Sequence, residues 1–352
     1  MGSTNRKKFK HSGLNFFSHK RAFEIQFNWI FVLIAGTIIL LVIVLFISSQ
    51  RGISESAIKG ETLNNLNFII SGLGASTVDT TKIIEDFPNL DVGISCDRIS
   101  IGSVQKQFEN LILFAPGMVK GDKKLAQSLN FNIPYRSINL IYLTSAKLKY
   151  ILIGDTELAK LVNKTLPNEM NKDFYSSIPL IKNPNTYKVR FIVFGSMVAF
   201  PKSLEGMANS DVTALRVDGT DKSGTVVYYQ KLGSSWDAKG SLGYLGRAGL
   251  IGAIYSDSKE NYECNMANVF ARMRLVTKVY LERTKEILSR SPFLAEDSKC
   301  SGFYASAAAR LNKLFDAYSK YRAENIEIIS DQSELLESDN KDAQLSSCNR
   351  IY

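Results

Sequence analysis

Ile30 to Ile47 reads IFVLIAGTIILLVIVLFI, without a charged residue or a proline. With Phe27 to Trp29 ahead of it the run reaches 21 residues, long enough as a helix to cross the ~30 Å hydrocarbon layer of a bilayer. A helix buried in a soluble core rarely stays apolar on every face over such a length. A cleavable secretory signal has an apolar run of only about 7–15 residues before a small-residue site, and Ser48-Ser49-Gln50 is a poor one. Residues 27–47 therefore read as a transmembrane helix, and the rest of the chain is organised around it.

Ahead of the helix, residues 1–26 hold Arg6, Lys7, Lys8, Lys10, Lys20 and Arg21 against the single acid Glu24. The next basic residues after it are Arg51 and Lys59. Such asymmetry predicts a cytoplasmic amino-terminal tail and an extracytoplasmic remainder, with Trp29 as an interface anchor. The tail accounts for +5 of the net charge of +9; the remaining 37 basic and 33 acidic residues leave only +4. The outer part thus carries a mixed, solvated surface with no basic stripe, which argues against nucleic acid as a partner.

Four cysteines follow the helix, Cys96, Cys264, Cys300 and Cys348, none in a CxxC pair. In an extracytoplasmic domain an even number suggests two disulfides, with three connectivities open. Two antiparallel helices after residue 263 would set Cys264 and Cys300 at opposite ends of a rod, too far apart to bridge, which favours Cys300 with Cys348 and Cys96 with Cys264.

Periodicity divides the outer part. Residues 48–75 read as a helical stalk ending at Gly72 and Gly74. From 76 to 260 strand-like runs dominate, among them VDTTKII, DVGISC, LILFAP, KVRFIVFG at 188–195, VTALRV at 212–217 and TVVYYQKL at 225–232. A helical window is expected over Asp122–Asn130. Strands at 138–144 and 147–154 are expected to close a hairpin through Ser145-Ala146. Thr156 is the N-cap candidate for a helix over 157–164. From 261 to 352 apolar residues recur every three or four positions, predicting a helix of about 26 residues from about 263, a second after Ser301 and a short third over 331–345. The expected fold is an α/β (α+β) ectodomain with a mixed sheet and a carboxyl-terminal helical hairpin or bundle, behind one transmembrane helix.

The chemistry is mostly subtractive. Both histidines, His11 and His19, lie in the tail, so the outer part has no Ser-His-Asp or Cys-His catalyst and no imidazole for a metal. The glycines around Gly154 and at 233–252 match neither GxGxxG in a strand-to-helix setting nor a P-loop, and no cofactor is expected. SLGYLGRAGLIGAIYSD, 241–257, reads as a glycine-kinked strand or a helix packed closely on its neighbours. Asp218 and Asp221 read as turn formers rather than calcium ligands. Asn163-Lys164-Thr165 is an acceptor triplet for N-glycosylation.

Lys20 to Gly36, KRAFEIQFNWIFVLIAG, resembles the membrane entrance of a set of uncharacterised archaeal single-pass membrane proteins. The strings CDRISIG, FAPGMVKGD, YECNM and SCNRIY are similar to that set too, and the resemblance implies an anchored protein without implying an activity. The same entrance looks like an archaeal class III signal peptide, which would imply cutting after Arg21, a mature chain starting at Ala22, and assembly into a pilin-like filament. Three readings follow: an anchored structural or interaction module of the cell envelope with a protein partner, a pilin-like subunit, and an ectoenzyme or small-ligand receptor. The oligomeric state stays open.

Overall fold

A computed structural model describes residues 20–85, 87–107, 111–177, 181–182, 185–290 and 298–352. The chain divides into two compact units, residues up to Ile58 and Lys59–Tyr352. Helix α1, Lys20–Gly74, contributes to both. In the first unit its segment Trp29–Ser48 has a mean hydropathy of 3.4 and none of it is buried; it is long and apolar enough to cross a membrane.

In the second unit the last turns of α1 are amphipathic. Leu63, Leu66, Ile70 and Leu73, spaced by three and four, are buried. They join a core with two sheets. The first has the order β1-β7-β8-β5, built from Thr80–Ile84, Lys124–Asn132, Arg136–Ser145 and Leu113–Phe114. The second has the order β4-β3-β2-β6, from Val104–Gln107, Arg98–Ile101, Val92–Ser95 and Met118–Val119. Ala126, Ile141 and Leu143 of the first sheet face this core together with Ile94 and Ile99 of the second.

The third sheet has six strands in the order β10-β9-β11-β12-β13-β14: Lys172–Tyr175, Leu148–Ile153, Lys188–Phe194, Val212–Gly219, Ser223–Leu232 and Ser235–Leu245. Its first four strands are mutually parallel and the last two antiparallel. Successive residues of a strand face opposite sides. Tyr150, Leu152, Ile192, Phe194, Leu215 and Tyr228 therefore enter the main core on one side. Ile151, Ile153, Phe191, Val193 and Ala214 pack on the other side, under Val198 and Leu204 of the β11–β12 connection.

Helix α3, Gly246–Tyr255, lies in the main core between the first and third sheets, and every residue of it except Arg247 is buried. Gly252 makes this possible: a Cβ there would sit 3.0 Å from the ring of Phe114. Helix α2, Glu157–Thr165, links β9 to β10 and starts at Thr156, whose hydroxyl accepts from the Ala159 N–H at 3.1 Å. Helices α4, Lys259–Arg290, α5, Ser298–Ala317, and α6, Ala323–Leu345, follow. Helix α5 packs against both α4 and α6, and α4 and α6 also touch β14.

The mixed α/β expectation holds, with an apolar helix ahead of several sheets. Some local readings do not hold. Asp122–Asn130 is not helical but largely strand β7, paired on both sides. Its Lys, Leu, Ala and Gln favour helix intrinsically, yet the strand lies in mid-sheet with Lys124 to Leu129 all buried, and packing overrides propensity. Ser145-Ala146 does not close a hairpin, because β8 belongs to the first sheet and β9 to the third. The stretch 241–257 is strand, then helix, with the change at Gly246. Helix α4 has 32 residues and α6 has 23, both longer than their periodicity indicates.

Cys96 in the β2–β3 turn is bonded to Cys264 on α4, and Cys300 on α5 to Cys348 past α6, with Cα separations of 5.8 and 5.7 Å. They close loops separated by 168 and 48 residues, worth roughly 5 and 4 kcal/mol in a chain-entropy account.

Candidate functional site

The amino-terminal end of α3 opens on a cavity of about 370 Å³. The turn that makes it depends on Gly246. Its φ of +67° is costly for a residue with a side chain, and a Cβ there would lie 2.4 Å from Ile133 Cδ1. The Gly246 N–H donates to the Lys222 carbonyl at 2.6 Å, tying the helix start to the β12–β13 turn. Leu245 occupies the N-cap position and offers no side-chain acceptor. The next N–H groups, of Arg247 and Ala248, have no acceptor within the helix, and the macrodipole adds about half a positive charge there.

Around this end the wall alternates apolar and charged groups. Half-buried Leu161, Ile133 and Pro134 supply apolar surface, with Phe131 and Leu245 fully buried behind it. Lys222 Nζ pairs with Glu334 on α6 at 2.7 Å, and the hydrogen bond and charge of Glu334 raise the lysine's pKa. Arg247 lies 3.8 Å from Asp79, an ion-pair distance too long for a hydrogen bond. Asp79 itself accepts from the Asn130 N–H at 2.9 Å. Asp221 and Glu337 also line the cavity, and neither joins an ion pair among the described residues.

Two lining residues each keep a polar atom buried out of reach of the cavity and without a hydrogen-bond partner, Ser333 Oγ and Asn130 Oδ1. Leaving such a group dry costs about 1–3 kcal/mol. Ser333 is only 6 % exposed. Its hydroxyl contacts no base, so it is not an activated nucleophile.

The carboxyl end of α3 is closed instead. Arg190, fully buried on the face of β11 that meets α3, donates through Nε to the Ile254 carbonyl at 2.7 Å and through Nη2 to that of Ala253 at 2.9 Å. It also donates to the Ser256 carbonyl, and its Nη1 reaches Thr213 Oγ1 at 3.1 Å. Burial pulls its pKa down. Beside the helix, burial pushes the phenols of Tyr142, Tyr228, Tyr255 and Tyr262 well above 10, so they stay protonated and act as packing and hydrogen-bond groups.

Of the residues singled out in the sequence, Asp221 lines the cavity, whereas Asp218 lies at the end of β12. Among the described residues no group of three or more His, Cys, Asp or Glu is placed to hold a metal. Gly154 packs against Phe194, where a Cβ would meet the Phe194 Cβ at 2.8 Å. Asn163 is half-buried in the last turn of α2, and its carbonyl accepts from Lys172 Nζ at 2.6 Å. Arg21 and Ala22 fall at the start of α1, and their side chains lie outside the described residues, as do the whole of His11 and His19. Ser333, Glu337 and Arg247 carried no sequence signal; only the Gly246-Arg247 step inside a glycine-rich apolar run marked the place.

No protein-family model, curated protein or solved structure matches this chain.

Proposed function

We propose that the chain is a membrane-anchored protein whose second unit works outside the cell membrane, as a structural or interaction module of the cell envelope. The observation that carries this reading is a contrast. Trp29–Ser48 is apolar and unburied, while all four cysteines of the second unit are joined in disulfides. Apolar surface left in water costs about 25 cal/mol per Å², so this helix calls for lipid. Disulfides persist in oxidising compartments, and the basic tail directs the amino terminus to the cytoplasm. The last three helices, read as a bundle on the sheets, offer a protein partner a rigid surface. The resemblance of the membrane entrance to archaeal single-pass proteins agrees with this role.

The test is intact-mass and amino-terminal analysis of the protein taken from its native membrane without reductant. The expected chain begins at Met1 or Gly2 and is four hydrogens lighter than the reduced sequence, two per disulfide. A chain that begins at Ala22 points to the pilin-like reading instead. Reduced thiols in freshly isolated protein sink the extracytoplasmic placement.

A second reading, a receptor for a small ligand, is favoured by the cavity at the start of α3, with its uncapped helix end.

A further inference from the structure

We propose that the second unit docks on a second copy of itself, the acidic outer face of α6 on one copy against the basic outer face of α4 on the next. The inference rests on the interaction-module reading and names the partner.

Both faces carry large apolar side chains that stay uncovered. On α4, Leu275 and Val279 stand four residues apart and so on one face, and they are 63 % and 68 % exposed. On α6, Ile328 and Leu335 stand two helical turns apart and are 44 % and 42 % exposed. Single exposed apolar side chains are ordinary; the charge around these sets them apart. Within four residues of the α4 pair lie Arg272, Arg274, Lys278 and Arg283 against one acid, Glu282. Within four residues of the α6 pair lie Glu324, Glu327, Asp331, Glu334, Glu337 and Asp339, and no base.

Part of this charge is used within the chain, and the remainder is complementary. On α4, Glu282 pairs with Lys285, Arg274 lies over the Phe315 ring and Arg283 reaches the Arg350 carbonyl at 3.5 Å. That leaves Arg272 and Lys278, one turn to either side of Leu275. On α6, Glu324, Glu334 and Asp339 pair with Arg322, Lys222 and Arg310, and the charge of Glu337 also acts on Lys222. That leaves Glu327 and Asp331 beside Ile328. These four side chains are exposed, and none joins an ion pair among the described residues.

Beside Leu275 the surface is concave. A groove of about 610 Å³ is lined by Ala271 and Leu275, with Arg274, Lys320 and Arg322 against the single acid Glu263. A helix face with acids around two apolar anchors suits such a groove, and α6 presents one. Because both apolar pairs are exposed, they do not meet within a chain, and the contact is between chains. It joins unlike surfaces, so each docked pair keeps one free face of either kind and the contact continues into a ring or an open row.

Sedimentation velocity of the full chain in detergent micelles, over a series of protein concentrations, is the test. Unaltered protein should assemble beyond a dimer, and less so as salt screens the charges. Arg272→Glu with Lys278→Glu should weaken assembly by about tenfold or more, and so should Glu327→Lys with Asp331→Lys. An equal mixture of the two double variants should regain it, because every α4 then finds an α6 of opposite sign. All four positions are exposed, so the melting profile should not change. Unaltered protein that stays monomeric at every concentration, assembly indifferent to both variants, or a mixture that fails to regain it overturns the self-docking. The interaction-module reading is judged separately, by where the chain begins and by its disulfides, and survives each of those three outcomes.

Discussion

The two ends of helix α3 are finished in opposite ways. At its carboxyl end a fully buried guanidinium takes three backbone carbonyls and a threonine hydroxyl. At its amino end an apolar N-cap leaves N–H groups facing a cavity with both charge signs on its rim. The same problem, orphan groups at a helix end, is solved from within at one end and left to the solvent or a ligand at the other. This teaches where the molecule is built to be rigid. Lysines meet backbone carbonyls in the same way elsewhere: half-buried Lys172 donates through Nζ to the Asn163 and Leu166 carbonyls at the end of α2, and buried Lys124 donates through Nζ to the carbonyls of Gly121 at 2.7 Å and of Leu90 and Val119 at 3.4 Å.

Arg190→Met removes the cap from the closed end. It strands the carbonyls of Ile254 and Ser256 in a dry core, leaves that of Ala253 only the Tyr228 hydroxyl at 3.5 Å, and should cost about 3–5 kcal/mol in urea unfolding. A loss below about 1 kcal/mol would mean that the closed end is no more determined than the open one.

Lys124 sharpens the same point through pH. Burial lowers its pKa from 10.5 to about 8. With the folded value below the unfolded one, the folded state binds fewer protons between about pH 8 and 10.5, so stability should rise with pH across that window. Below about pH 8 both states are protonated and the penalty is constant. The rise should reach up to about 3 kcal/mol and be absent from Lys124→Met. The difference between the two proteins is the quantity to read, since the buried phenols titrate alike in both. Parallel pH curves would show that carbonyl contacts, not burial, set this lysine's charge.

At the open end, Gly246→Ala forces a side chain into a positive-φ turn and against Ile133. It should lower stability by about 1–3 kcal/mol, read by the melting midpoint. Arg247→Ala should be the mildest, within about 0.5 kcal/mol, because its side chain is 47 % exposed and its ion pair long. A larger loss would recast Arg247 as a structural group.

What the sequence made legible were features whose signal is local. The charge-free run from Ile30 announces an apolar helix, Thr156 announces a helix start, and the apolar run in Lys188–Phe194 and the Val- and Tyr-rich run in Ser223–Leu232 announce strands. What it hid depends on distant partners. Asp122–Asn130 looks helical until β1 and β8 are known to flank it. Consecutive strands 138–144 and 147–154 look like a hairpin until they are assigned to different sheets. The cavity is hidden for the same reason. Asn130, Asp221, Arg247 and Ser333 come from four separate segments, and none is an unusual residue in its own neighbourhood. Arg190 is the clearest case: it is fully buried because a helix 64 positions later ends against it, which nothing in its own strand announces.

The cysteine pairs have a consequence for how the chain matures. In order along the chain they join first to second and third to fourth. During synthesis at about 5–20 residues per second, Cys96 waits on the order of ten to thirty seconds for Cys264, with no other cysteine made in between. The first thiol it can meet in its own chain is its native partner, and once that bond has closed the same holds for Cys300 and Cys348. Oxidation that keeps pace with the emerging chain therefore yields the native bonds by order of arrival, with no wrong bond to reshuffle.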